Sequence, residues 1–118
     1  MVKSFKDLTV WQKSIDFVAS VYLLVKQLPK EETYALSDQI RRAVVSIPSN
    51  IAEGFGRNST KEYVQFLYIA LGSASEVETQ IIIGQKIGYF KDIEQYSQDI
   101  NEIKKMINGL ISSLKRKI

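Results

Sequence analysis

Between Gln39 and Glu53 the polar side chains Gln39, Arg42, Ser46, Ser49, Asn50 and Glu53 recur every three or four residues, so a helix would set them on one face. They are mostly short hydrogen-bonding types rather than the long Lys and Glu of a solvated face, which is the chemistry of a surface that bonds to protein. Two accounts fit them. In one, hydroxyls and amides repair a helix kinked at Pro48, whose ring removes a backbone donor and crowds the carbonyl of Val44, while Glu53 pairs with an arginine. In the other, the same face contacts a subunit or a ligand. Arg41 and Arg42 are adjacent and diverge by about 100° on a helix. One is expected to pair inward with Glu53 or Glu76 while the other turns out, bidentate pairing being what arginine does best.

A second group of residues suits anions. From Ile103 to Ile118 the chain carries Lys104, Lys105, Lys115, Arg116 and Lys117 and no acidic residue. Such a run attracts phosphates, although cations near a helix C-terminus also suit the helix dipole. Arg57 and Lys61 add positive charge beside the start of another helical segment. The run Gly54-Phe55-Gly56-Arg57-Asn58 lacks the Gly-Lys-Ser/Thr ending of a phosphate loop and follows a helical rather than a strand pattern. Its glycines are expected to serve as a helix cap and a turn.

Catalytic chemistry has little to draw on. The chain has no Cys and no His, which removes thiolate nucleophiles, disulfides, zinc fingers and the commonest general base. Glu53, Glu62, Glu76 and Glu78 invite comparison with a di-iron bundle, but that site needs Glu-x-x-His pairs. Nothing marks out a Ser–Lys dyad with an oxyanion hole. No enzyme activity, cofactor, metal or small-molecule substrate is expected.

The elements that must position these groups are helical. The chain has 118 residues, 45% hydrophobic and 25% charged with a net charge of +3, values of one ordinary globular domain. Only two Pro and six Gly punctuate it. Helices are predicted over about 8–28, 34–54, 60–87 and 92–117. In the last, Ile93, Tyr96, Ile100, Ile103, Ile107, Leu110 and Leu114 form a seam with alternating steps of three and four. The first carries two stripes: Leu8, Trp11, Ile15, Val18, Tyr22 and Val25, and beside it Val10, Phe17, Val21, Leu24 and Leu28. Together they exceed what one neighbour covers, so a subunit interface is expected to take part of them, with Trp11 buried. In the third, Ser59 and Glu62 read as a capping box, the small run Ala70 to Ser75 as the tightest helix crossing, and Gly88 as the helix stop. Most Tyr and Phe fall on core spacing, which argues against base stacking. Short connections make sequential helices antiparallel neighbours, giving an all-α up-down-up-down four-helix bundle. Apolar stretches such as Phe17–Val25 are too short to span a bilayer, so a soluble cytoplasmic protein with no membrane partner is expected.

Four stretches together carry a resemblance: Leu8-Thr9-Val10-Trp11-Gln12-Lys13, Gln39-Ile40-Arg41-Arg42-Ala43, Ser46-Ile47-Pro48-Ser49-Asn50-Ile51-Ala52-Glu53-Gly54, and Ala70-Leu71-Gly72-Ser73 with Glu76. The chain resembles the four-helix bundle proteins encoded in intervening sequences of 23S rRNA genes, a family also filed under a ribosomal-protein name. The resemblance implies a left-handed antiparallel bundle that assembles into a ring, commonly a homopentamer. It also implies a non-catalytic adaptor whose partner is structured RNA or a nucleic-acid enzyme, as for the basic ring of a related accessory protein of diversity-generating retroelements. A protein–protein scaffold with no nucleic-acid role is the competing expectation.

Overall fold

The steps of three and four in the last segment become a helix because they gather isoleucines on one stripe. Ile100, Ile103, Ile107 and Ile111 are buried along it, with polar residues on the outward side. The computed structural model describes residues 1–118. It contains four helices, α1 (Thr9–Val25), α2 (Leu36–Phe55), α3 (Thr60–Ile87) and α4 (Glu94–Lys115), with 3₁₀ turns at Phe5–Asp7 and Lys30–Glu32. α1 packs on α2, α2 on α3, α3 on α4, and α4 returns to α1, giving a four-cornered rod of 46 × 24 × 20 Å. Ser46 of α2 bonds Ser73 of α3, and Gly54 near the end of α2 lies against Tyr63 and Phe66 near the start of α3. On the next pair, Lys104 meets Glu78 while Lys115 meets Tyr68. Each pairing runs in opposite chain directions, as an antiparallel bundle requires.

Local chemistry sets the boundaries. The Ser59 hydroxyl accepts the Glu62 amide at 3.2 Å, and the Glu62 carboxylate accepts that same hydroxyl at 3.3 Å rather than closing the reciprocal half of a capping box. α3 stops at Gly88, whose φ of 97° is left-handed, and the Tyr89 amide folds back to the Gly84 carbonyl at 2.8 Å. α1 ends at Val25, sooner than its apolar pattern suggests, because a tight turn carries the chain through Leu28 to Pro29. α2 runs without interruption through Pro48.

Two expectations about packing are corrected, and the close crossing expected at Ala70–Ser75 is met by only part of that run. In α1 the inward stripe is Val10, Ser14, Phe17, Val21 and Leu24. The alternative stripe lies half outside: Trp11 and Val18 are half-buried, and Ile15 and Tyr22 are exposed. Both stripes are apolar, so α2 and α4 together decide which turns in. Gly54 is not a cap. It is a buried residue inside α2, and a Cβ there would fall 2.8 Å from Cβ of Phe66. Within Ala70–Ser75, Ala70, Ser73 and Ala74 face the core, but Gly72 faces open space.

α3 is long and apolar enough by length and composition to cross a bilayer, which the sequence reading overlooked. Here it is a core helix between α2 and α4, and its inward side carries the buried polar residues Ser73 and Gln80.

Candidate functional site

The polar line of α2 resolves into an interhelical clasp and two surface ion pairs. Asn50 Nδ2 donates to the Ser46 carbonyl and to Ser46 Oγ, both at 2.8 Å, and Ser73 Oγ on α3 donates to the same Ser46 hydroxyl at 2.9 Å. The Ser73–Ser46 bond ties α2 to α3 while the Asn50 bonds stay within α2, and none of them reaches the Val44 carbonyl beside Pro48. Glu53 pairs with Arg57, one turn on, at 3.3 Å. Arg42 pairs with Asp38 at 3.3 Å, not with Glu53 or Glu76. It is close in sequence and already on the same face, whereas Glu76 lies across the helix boundary. Arg41, half-buried, has no carboxylate partner within ion-pair distance, and Ser49 is exposed. Glu76 is exposed and accepts only the Gln80 amide, at 3.4 Å. Gln80 Oε1 is the one buried side-chain polar atom without a partner.

Pro48 is itself buried and lines an outward groove between α1 and α2 with Phe5, Trp11, Ile15, Val18, Val45 and Ala52. Further along the same helix pair, Tyr22, Arg41, Arg42 and Val45 line its continuation. The apolar excess of α1 is therefore on the surface, in one strip.

The basic residues divide. Lys104 is a strut: half-buried, it meets Glu78 at 2.9 Å and joins α4 to α3, so it leaves the anion surface. Glu78 stands 26 residues away, beyond the reach of any local pattern. Lys105 is exposed at mid-helix, about 15 Å along α4 from Lys115. The others converge. Antiparallel packing sets the end of α4 beside the start of α3, with Lys115 Nζ donating to Tyr68 Oη at 3.2 Å. The Arg57 guanidinium lies over the Phe66 ring at 4.6 Å from its centroid, and Lys61 is exposed on the first turn of α3.

The N-terminal turn reaches the same end, through Phe5 edge-on to Trp11 at 5.2 Å, and adds Lys3 and Lys6. Those two were missed because they precede the first periodic segment. The antiparallel order is the signal that places them. Lys3, Lys6, Arg57, Lys61, Lys115, Arg116 and Lys117 thus share an end with only three carboxylates. Asp7 and Glu62 there are engaged in capping, and Glu53 is paired to Arg57. The opposite end is balanced, with Lys26, Lys30, Lys86 and Lys91 among Glu31, Glu32, Asp92 and Glu94.

The aromatic residues follow core spacing only in part, with Trp11, Tyr63, Tyr89 and Tyr96 half-buried against the core. Only Phe17 and Phe90 among them are buried. Phe5, Trp11, Phe55, Tyr63 and Phe66 are half-buried at the basic end, and Tyr68 is exposed there. Burial against Phe55 and its neighbours holds the Tyr63 hydroxyl above its ordinary pKa.

Residues 6–109 match the family described as 23S rRNA-intervening sequence protein. The chain belongs to that family. A crystal structure of a protein of unknown function from the S23 ribosomal protein family, from Bacteroides thetaiotaomicron VPI-5482, is similar to it at 32% identity and a TM-score of 0.77. The likeness covers 87% of this chain and 95% of that one. No curated protein sequence is significantly similar. In this intervening-sequence family member the Ser46–Asn50 motif is a clasp within the chain, and the exposed features include the basic end and the α1–α2 groove.

Proposed function

We propose that this intervening-sequence family protein is a non-catalytic, cytoplasmic, ring-forming adaptor, a homopentamer by family resemblance, that holds structured RNA against its basic end. One observation carries the reading: cations from three separate parts of the chain, the N-terminal turn, the α2–α3 connection and the end of α4, meet at one end while the other end is neutral. Contacts of that kind are made to phosphates, so binding is salt-sensitive and weakly sequence-specific. Copies arranged in a ring would sum the field. The non-catalytic part is supported by the sequence, which has no His to act as the commonest general base and no Cys to act as a thiolate nucleophile.

Binding of a ribosomal RNA fragment at low and moderate salt tests the reading. Replacing Lys115, Arg116 and Lys117 by Ala is expected to weaken binding about tenfold or more and to flatten its salt dependence, with the thermal midpoint unchanged. Lys26, Lys30, Lys86 and Lys91 replaced together at the other end are the control and should change affinity little. No RNA binding at 50 mM salt, with protein partners captured regardless of nuclease, would replace the reading with a protein–protein scaffold.

A further inference from the structure

A closed ring of identical chains needs two different surfaces per chain that fit each other. Resting on the ring reading, we infer that each copy seats an α3 ridge in the α1–α2 groove of the next, with Glu76 of one copy paired to Arg41 of its neighbour.

The ridge is the outward line of α3: Ile69, Gly72, Glu76, Ile83 and Ile87, spaced so that a helix stacks them. The isoleucines are 51%, 43% and 59% exposed in chain order and stand outside the hydrophobic core. Gly72 lies at mid-helix, where glycine costs about 1 kcal/mol relative to alanine. Nothing within the chain requires it, since a Cβ there would meet no atom within 4 Å. A flat spot between Ile69 and Glu76 instead lets another backbone come close.

The groove offers what the ridge lacks. Its walls are Trp11, Ile15 and Val18 on α1 and Val45 and Pro48 on α2. Arg41, which has no carboxylate partner within the chain, lies at its continuation beside Tyr22. Ile69 and Glu76 are seven residues apart, as are Pro48 and Arg41, about 10 Å in each helix. Ile69 therefore falls at Pro48 when Glu76 falls at Arg41.

The heights agree as well. Within one chain Ser73 is level with Ser46, which sets Glu76 level with Ala43 and Ile69 level with Asn50, each two residues, about 3 Å, from the groove residue it meets. Rotating a second copy about an axis parallel to the helices keeps those levels and the antiparallel sense of α3 against α2. The contact needs only about 3 Å along the axis, a span the long Arg41 and Glu76 side chains take up, so the assembly closes rather than climbing into a filament. Ridge and groove lie on adjacent sides of the rod that meet at α2.

Molar mass by light scattering, at concentrations from about 1 to 50 μM, tests the contact. Arg41→Glu and Glu76→Arg are each expected to weaken assembly at least tenfold, and the double exchange to restore it. Gly72→Leu should yield monomers with unchanged helix content, because its side chain points into open space. Single variants that keep the wild-type mass, or a double exchange that fails to restore it, would overturn the contact while leaving the ring. A wild-type protein that stays monomeric at 50 μM would overturn both. Loss of RNA binding by a fully assembled protein would remove the RNA reading and leave the contact standing.

Discussion

The two ends of the bundle solve the problem of finishing a helical rod in opposite ways. At the neutral end the α3–α4 turn folds inward. Phe90, 1% exposed, lays its ring where a side chain on Gly84 would be, and the Tyr89 hydroxyl donates to Glu32 Oε2 at 3.0 Å. Glu32 Oε1 accepts the Leu36 amide that opens α2, so one carboxylate ties two connections together. At the basic end the rings stay half outside, and two of them lie under cations. Aromatic residues at one end complete the core, and at the other they support surface charge. Under the proposed reading, stability and recognition are separated along the rod's length, and substitutions at the two ends should fail in different assays.

The sharpest way to break that contrast is Gly84→Ala. The added Cβ would sit 2.3 Å from the Phe90 ring, which is enclosed and has little room to retreat. Overpacking of this kind costs about 1–3 kcal/mol. A urea midpoint lowered accordingly, with RNA affinity per folded molecule unchanged, is the expected outcome. A drop in RNA binding beyond the unfolded fraction would mean that the ends are coupled.

How far the sequence reveals these ends depends on how many partners a residue leaves open. α4 is legible because it has one apolar stripe, so Ile100, Ile103 and Ile107 had only one way to turn. α1 has two, and nothing local distinguishes Phe17 from Trp11; the choice belongs to the helices that cover it. Gly54 looks like a cap because caps are the commonest local use of glycine near a helix end. Its actual neighbours, Tyr63 and Phe66, arrive only when α3 folds back. The basic residues were readable as residues, but Lys104 could not be separated from Lys115 without knowing that Glu78 faces one and Tyr68 the other. Antiparallel order was itself legible from the short connections, and it is what gathers the basic end.

A smaller effect sharpens the same comparison at the other end. Trp11 packs edge-on to Phe5 but is only half-buried. Trp11→Ala should therefore cost about 1–2 kcal/mol in the monomeric Gly72→Leu background, against the 3–5 kcal/mol of a fully enclosed ring. In the proposed assembly the same change removes a groove wall, so the deficit should grow with protein concentration. A loss of 4 kcal/mol already present in monomers would place Trp11 in the subunit core and take it out of the groove.

The smallest effect concerns the bond that closes the neutral end. The hydrogen bond to Glu32 holds the Tyr89 hydroxyl above its ordinary pKa of about 10, with desolvation and the charges of Glu32 and Glu31 acting in the same direction. A group held protonated by folding stabilises the native state fully below its unfolded pKa, and that contribution disappears as pH rises through the folded value. Tyr89→Phe should therefore lower the urea midpoint slightly at neutral pH. The difference from wild type should stay constant up to about pH 9 and shrink above pH 10, where the wild-type phenol ionises and repels the carboxylate. Burial of Tyr63 shifts its hydroxyl the same way, so both proteins lose stability at alkaline pH and only the gap between them reports Tyr89. A gap that persists undiminished to pH 11.5 would show that the ring's packing, and not the bond to Glu32, holds the α3–α4 turn against the α1–α2 connection.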